Sequence, residues 1–245
     1  MLKYAAAAPV LLSLSTVKPS ASAATAIAGM TVFLDPGHNG ANDASINRQV
    51  TNGRGGTKEC QTSGTTTDGG YPEHSFNWDV VLRIREMLTA MGVRTALSRG
   101  NDNALGPCVD ARAAQANALQ PDAIVSIHAD GGPPDGRGFH VNYSDPPLNE
   151  AQAGPAVRFA QIMRDQLVDA GMQPSTYRGT DGLFGRADLA GLNLAQYPSI
   201  LIEMGNMKNA ADAAVLSSAE GRAHLASAVV QGITAYLGAT PPLHV

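Results

Sequence analysis

The chain has 245 residues, of which 44% are hydrophobic and 16% charged, and its formal net charge is −4 at pH 7. This length and composition predict one folded domain with a sizeable core. The acidic balance and the lack of a basic cluster argue against a nucleic-acid partner. Beyond the N-terminus, no stretch approaches the roughly 20 apolar residues that a membrane span needs.

Residues 1–23 have the pattern of a secretory signal peptide. Lys3 precedes an apolar stretch over 4–17, and Ala21-Ser22-Ala23 matches a small-residue cleavage site. We therefore expect export of a mature, monomeric chain to the periplasm, the cell wall or the extracellular space. The remaining sequence is divided into a short segment over 24–29, one domain over 30–238 and a tail over 239–245.

The predicted elements alternate between strands and helices. The first is a strand over 30–34, which leads directly into Asp35-Pro36-Gly37-His38. The segment 39–70 is rich in Gly, Asn, Thr and Ser and is predicted to be loop. A helix over 72–91 follows, with Glu73 in its first turn. The other predicted elements are strands over 93–97, 123–127, 138–143 and 199–202 and helices over 109–119, 156–168, 189–194 and 219–237. This pattern predicts an α/β fold, a mostly parallel twisted sheet with helices on both faces.

Three predicted strands end at side chains that can bind a metal or move a proton. His38 follows the first strand, His128 follows the strand over 123–127, and Glu203 follows the strand over 199–202. Because ligands bind beyond the carboxyl ends of parallel strands, we expect these side chains at one sheet edge. Two histidines there suggest a catalytic zinc site, which needs a third His or carboxylate ligand and an open position for water. The candidates for the third ligand are Asp35, Glu73, His74, Asp130, His140 and Glu203.

The two cysteines, Cys60 and Cys108, are too few for a cysteine-rich zinc site and lack the C-x-x-C spacing of a redox motif. In an exported chain we expect them to form a structural disulfide. That crosslink would attach the middle of the 39–70 loop to the rest of the domain.

Several strings, in this order and spacing, resemble the zinc-dependent N-acetylmuramoyl-L-alanine amidases of the amidase-3 type. The resemblance covers roughly residues 30–238. The strings are Val32-Phe33-Leu34-Asp35-Pro36-Gly37-His38, Glu73 at a helix start, Ser98-Arg99-Gly100-Asn101-Asp102, Ala116-Asn117, Ser126-Ile127-His128-Ala129-Asp130, and Pro198-Ser199-Ile200-Leu201-Ile202-Glu203-Met204-Gly205 followed by Asn209.

The resemblance implies that His38, Glu73 and His128 hold one zinc ion and that Glu203 is the unligated catalytic acid and base. It implies a secreted hydrolase that cleaves the amide between N-acetylmuramic acid and L-alanine of peptidoglycan stem peptides. The alternatives are a zinc peptidase or deacetylase that acts on another amide, and an inactive wall-binding module. The last alternative would be expected to lack some of these side chains, and all four are present.

Three features depart from the family pattern. Ser98 stands where the family usually has Thr, and Asp130 stands where it often has Asn, which adds a negative charge near the expected metal. The segment over 39–70 is longer than in the family. Because this segment joins two expected ligands, we expect it to act as a tethered flap that favours small muropeptides over intact wall.

Overall fold

The structure is a computed structural model that describes residues 26–239. The predicted signal peptide and residues 240–245 of the predicted tail lie outside the described residues. Within them the strands are β1 (Thr31–Pro36), β2 (Gln49–Thr51), β3 (Thr57–Glu59), β4 (Arg94–Leu97), β5 (Ala123–Asp130), β6 (His140–Ser144), β7 (Leu183–Arg186) and β8 (Ser199–Asn206). The α-helices are α1 (Glu73–Ala90), α2 (Val109–Leu119), α3 (Val157–Asp169), α4 (Ala190–Leu194), α5 (Ala210–Ser217) and α6 (Ala219–Gly238).

A six-stranded sheet in the order β4-β1-β5-β8-β6-β7 forms the centre of the domain. Strands β4, β1, β5 and β8 are parallel to one another. Strand β6 is antiparallel to β8 and parallel to β7, so the last two strands run the opposite way. The predicted α/β class with a mostly parallel sheet is therefore confirmed.

Helices cover both faces of this sheet, as predicted. On one face, α1, α3 and α6 pack over a large core in which Phe76, Phe159 and Ile233 are fully buried. On the other face, α2 and α4 cover a smaller cluster that includes Ile124 and Ala116. Because side chains alternate along a strand, β5 directs one set of residues into the large core and the other set toward the smaller cluster.

The parallel register aligns the carboxyl ends of three neighbouring strands. Asp35 of β1 pairs with Ser126 of β5, and His128 of β5 pairs with Glu203 of β8. After β1 the chain goes to β4 on one side, and later returns to β5 on the other side of β1. The edge between β1 and β5 is thus a topological switch point, the usual place for a ligand in such sheets.

The prediction that the segment over 39–70 is entirely loop was wrong. It contains a 3-10 turn over Ala44–Asn47 and the antiparallel pair β2–β3. Each strand has only three residues, Gln-Val-Thr and Thr-Lys-Glu. They lie in a small surface hairpin with little buried apolar surface, so they leave no apolar pattern in the sequence. Strand β7 and helix α5 are likewise elements that the periodicity did not predict.

The predicted disulfide is present and joins the hairpin to the domain. Cys60 directly follows β3, and Cys108 is the N-cap residue of α2. The backbone N–H of Val109 donates to the carbonyl of Cys60 at 2.9 Å, so a hydrogen bond runs beside the crosslink.

Across the described residues, no helix is both long and apolar enough to traverse a bilayer.

We expect the Cys60→Ser/Cys108→Ser double variant to lose stability on the order of 4 kcal/mol, because the crosslink joins residues 48 positions apart in the unfolded chain. The free energy of unfolding, from urea titration of the oxidised wild type and the double variant, measures this. Reduced wild type is the matched control and should behave like the double variant. An unchanged unfolding midpoint in both would contradict the prediction.

Candidate metal centre

His38 lies just beyond β1, at the end of the turn Asp35-Pro36-Gly37. Its backbone adopts the left-handed conformation, with φ of 61°, which is uncommon for a residue with a side chain. The residue is 9% exposed, and its Nδ1 lies 2.8 Å from the carbonyl oxygen of Thr62. Because a carbonyl only accepts, Nδ1 carries a hydrogen, so Nε2 is the nitrogen that can bind a metal.

Two glycines allow the backbone to approach the site closely. A Cβ on Gly37 would lie 2.2 Å from the ring of His128, so only glycine fits beneath that ring. Gly64 has φ of 77°, and a Cβ there would lie 2.9 Å from His38 and 3.0 Å from the carboxylate of Glu73. At Gly37, just after β1, and at Gly64, in the Gly/Thr-rich segment, a residue with a side chain would therefore collide with the site.

Glu73 is the first residue of α1, where the helix dipole favours a negative charge. Its carboxylate is buried and accepts hydrogen bonds from the backbone N–H of Thr65 at 3.0 Å and of Ala129 at 3.2 Å. Burial raises the pKa of this carboxyl, but the charge of His38 and hydrogen bonds from His128 and His38 outweigh it. The net pKa of Glu73 is lowered, and the group stays ionised.

The side chains of His38, Glu73 and His128 converge on one point. Glu73 Oε1 lies 3.0 Å from His38 Nε2 and 2.9 Å from His128 Nδ1. The ligand atoms of all three lie within 4.8 Å of one another. Atoms bound to one tetrahedral ion at about 2 Å lie about 3 Å apart, so this group fits a zinc site. Two imidazoles and one carboxylate are also the donor types of a catalytic zinc site.

Glu203 faces the same point from the adjacent strand. It pairs with His128 in the register of β5 and β8, and its Oε2 is buried without a hydrogen-bond partner. Burial, followed by the negative charges of Glu73 and Asp130, raises the pKa of Glu203 well above its ordinary value. A carboxyl with a raised pKa at the edge of a cavity is suited to accept and return a proton.

These side chains line a cavity of about 450 Å³ between the sheet edge, α2, α4 and the segment after β3. Its volume is in the range of small-molecule sites. Leu201, two residues before Glu203, also lines it, which shows that the cavity extends along the sheet face. The site therefore has room for part of a substrate next to the candidate ligands.

The structure also places the other candidates for the third ligand. His74 points away, with its Nδ1 2.9 Å from Asp102. Asp35 is bound to Arg112 at 2.8 Å. Asp130 accepts a hydrogen bond from the hydroxyl of Tyr177 at 3.1 Å, and its charge acts on Glu203 without entering the three-residue group.

His140 lies in β6 directly opposite Glu203, and it is almost fully buried. Its Nδ1 has no hydrogen-bond partner, and burial lowers its pKa to about 4. The imidazole is therefore neutral at physiological pH. The structure places it beside the site and outside the three-residue group.

Sequence reasoning missed several residues that support the site. Arg112 is buried in α2, and Thr62 and Thr65 supply the backbone groups that hold His38 and Glu73. The sequence did contain a signal for Arg112. It lies four residues before Ala116, on the same buried side of the Ala-rich helix α2. The two threonines left no signal, because they act through backbone groups in an irregular segment.

Comparison with protein families gives one match over most of the chain. The family Amidase_3, described as N-acetylmuramoyl-L-alanine amidase, matches residues 32–235. This range contains the three-residue group and Glu203.

Individual relatives agree with the family match. The N-acetylmuramoyl-L-alanine amidase Rv3717 of Mycobacterium tuberculosis is 67% identical over 233 residues, which cover 95% of this chain and 94% of that protein. The crystal structure of the N-acetylmuramyl-L-alanine amidase Ami1 from Mycobacterium smegmatis is similar, with a TM-score of 0.87 and 70% identity over 87% of this chain and 99% of that one. Ami1 from Mycobacterium abscessus gives a TM-score of 0.86 and 67% identity over 86% of this chain and 100% of that one.

The buried pair of Asp35 and Arg112 should make stability depend on pH. Burial raises the pKa of Asp35, but the charge of Arg112 and hydrogen bonds from Ser98 and Ser126 lower it to about 2. Since the folded pKa is below the unfolded value of about 3.9, the stabilisation is complete above pH 4 and is lost as pH falls through 2. We expect the stability difference between wild type and Asp35→Asn to shrink by about 2 kcal/mol between pH 7 and pH 2.

Urea unfolding at several pH values measures this difference. The matched control is Asp165→Asn, which removes an exposed carboxylate paired with Arg164. A substitution at the surface is expected to change the free energy of unfolding by less than about 0.5 kcal/mol at each pH. A difference between wild type and Asp35→Asn that does not change with pH would refute the assignment of this pH dependence to Asp35.

Proposed function

The chain belongs to the Amidase_3 family of N-acetylmuramoyl-L-alanine amidases, and on that basis we propose that it is a secreted, zinc-dependent peptidoglycan hydrolase. The bond cleaved is the amide between N-acetylmuramic acid and the L-alanine of the stem peptide. The observation that carries the proposal is the group of His38, Glu73 and His128 beside the unpartnered carboxyl of Glu203. The catalytic domain is assigned to residues 30–238, and the chain acts after export, on wall material.

His38, Glu73 and His128 are the residues that would hold zinc. When bound at such a site, zinc polarises a substrate carbonyl and lowers the pKa of a water molecule to near 7. The hydrogen bond from His38 Nδ1 to Thr62 fixes the ring so that its other nitrogen faces Glu73. The backbone N–H groups of Thr65 and Ala129 donate to the Glu73 carboxylate and fix its orientation.

Glu203 is assigned the proton transfers. Its carboxylate takes a proton from the attacking water and delivers it to the amide nitrogen of L-alanine as the C–N bond breaks, so the leaving amine departs neutral. The other candidate ligands are engaged elsewhere, which leaves Glu203 as the free carboxyl facing the ligand group within the described residues. This placement also argues against an inactive wall-binding module, because such a module needs no unpartnered buried carboxyl.

The purified mature protein should convert muramyl dipeptide to N-acetylmuramic acid and L-alanyl-D-isoglutamine. Mass spectrometry of the products, with and without a chelator, measures this. We expect the reaction to stop with the chelator and to return when zinc is added. Cleavage of another amide with muramyl dipeptide left intact would instead favour a peptidase or a deacetylase.

Glu203→Gln should retain zinc and fold but lose about 10² to 10⁴ in turnover, because the amide cannot accept the proton. The matched variant His128→Ala should lose both zinc and activity. Zinc content by metal analysis and turnover on muramyl dipeptide separate the two roles. Near-normal turnover of Glu203→Gln would remove Glu203 from the mechanism, and zinc loss in that variant would make it a ligand.

A further inference from the structure

Two buried arginines lie next to the segments that carry the three-residue group, and Arg112 is also one of the residues that line the cavity. Arg112 of α2 and Arg99, which follows β4, are each only 4% exposed. A buried guanidinium is costly unless its hydrogen bonds are satisfied. The partners of these two side chains therefore indicate what their burial achieves.

Arg112 holds the turn that carries His38. Each of its five N–H groups has an oxygen acceptor. The acceptors are the carboxylate of Asp35 at 2.8 Å, the side-chain oxygen of Asn39 at 2.8 Å, and the carbonyls of Pro36 at 2.9 Å, His38 at 2.7 Å and Pro107 at 3.0 Å.

Arg99 holds the start of the helix that carries Glu73. It donates to the carbonyl of His74 at 2.8 Å, in the first turn of α1, and to the carboxylate of Asp102 at 2.8 Å. It also donates to the carbonyl of Pro36 at 3.1 Å. Both arginines therefore meet at one carbonyl oxygen, that of Pro36.

We propose that Arg112 and Arg99 form a positioning clamp that fixes His38 relative to Glu73 and thereby sets the affinity of the site for zinc. The inference rests on the zinc site of the proposed function. His38 needs such support because its left-handed backbone is unfavourable for a non-glycine residue and is kept only where the surroundings hold it. Arg112 binds the residues on both sides of that position, which a point charge could not do.

Lysine is the informative substitution, because it keeps the positive charge and loses the planar fork that reaches several acceptors at once. We expect Arg112→Lys to weaken zinc binding about 10-fold to 100-fold, the usual effect of removing groups that orient metal ligands. Arg99→Lys should also weaken zinc binding. The matched control is Arg83→Lys, which alters an arginine on the outer side of α1 that is paired with Asp79 at 2.6 Å.

The experiment titrates zinc into metal-free mature protein against a chromophoric chelator, and records the visible spectrum of the cobalt-loaded protein. Circular dichroism and thermal unfolding of the metal-free variants report whether the fold is intact. Weaker zinc binding and an altered cobalt spectrum in folded Arg112→Lys, with Arg83→Lys like wild type, support the clamp. If Arg112→Lys does not fold, Arg99→Lys decides by the same two readouts.

A folded clamp variant that binds zinc as tightly as wild type overturns the clamp and leaves the proposed function intact. A lower melting temperature with unchanged zinc affinity also overturns the clamp, because the arginines would then act on stability alone. Failure of the wild type itself to bind zinc would instead overturn the metal site of the proposed function. The two failures are therefore distinguishable.

Discussion

The site depends on the register in which β1, β5 and β8 pair. Because side chains alternate along a strand, a slip of one residue would turn His128 or Glu203 to the opposite face of the sheet. The apolar residues on the other face of β5 prevent such a slip, since Val125 and Ile127 are fully buried in the large core. Apolar packing on one face of the sheet thus fixes the positions of His128 and Glu203 on the other face.

Environment gives two neighbouring carboxyls different properties. Glu73 receives donors from the backbone and from two imidazoles, and its pKa is lowered. Glu203 is half-buried, its Oε2 is buried without a partner near two negative charges, and its pKa is raised. Such a difference separates a group that stays ionised and can bind a cation from a group that exchanges a proton. One residue type is therefore suited to both of the roles that we propose.

The Gly/Thr-rich segment belongs to the site although it has almost no core of its own. The disulfide and the backbone bond from Val109 hold it at the start of α2, close to the buried arginine of that helix. Its backbone then reaches both a histidine and a carboxylate, through Thr62 and Thr65. An irregular segment can do this because its peptide groups are not used in a sheet or a helix.

The sequence by itself determined the α/β class and placed His38, His128 and Glu203 near the carboxyl ends of three strands, because apolar runs and turn residues are local patterns. The predicted ends of two strands were too early, since β5 and β8 continue past His128 and Glu203 to Asp130 and Asn206. Only the tertiary structure decided between Glu73 and His74, since neighbouring residues on a helix point about 100° apart. The packing of α1 turns Glu73 toward His38 and His128 and turns His74 toward Asp102. The tertiary structure also decided the contacts of the buried Arg112 and the hairpin within 39–70. These depend on contacts between distant segments, and such contacts leave little trace in local sequence.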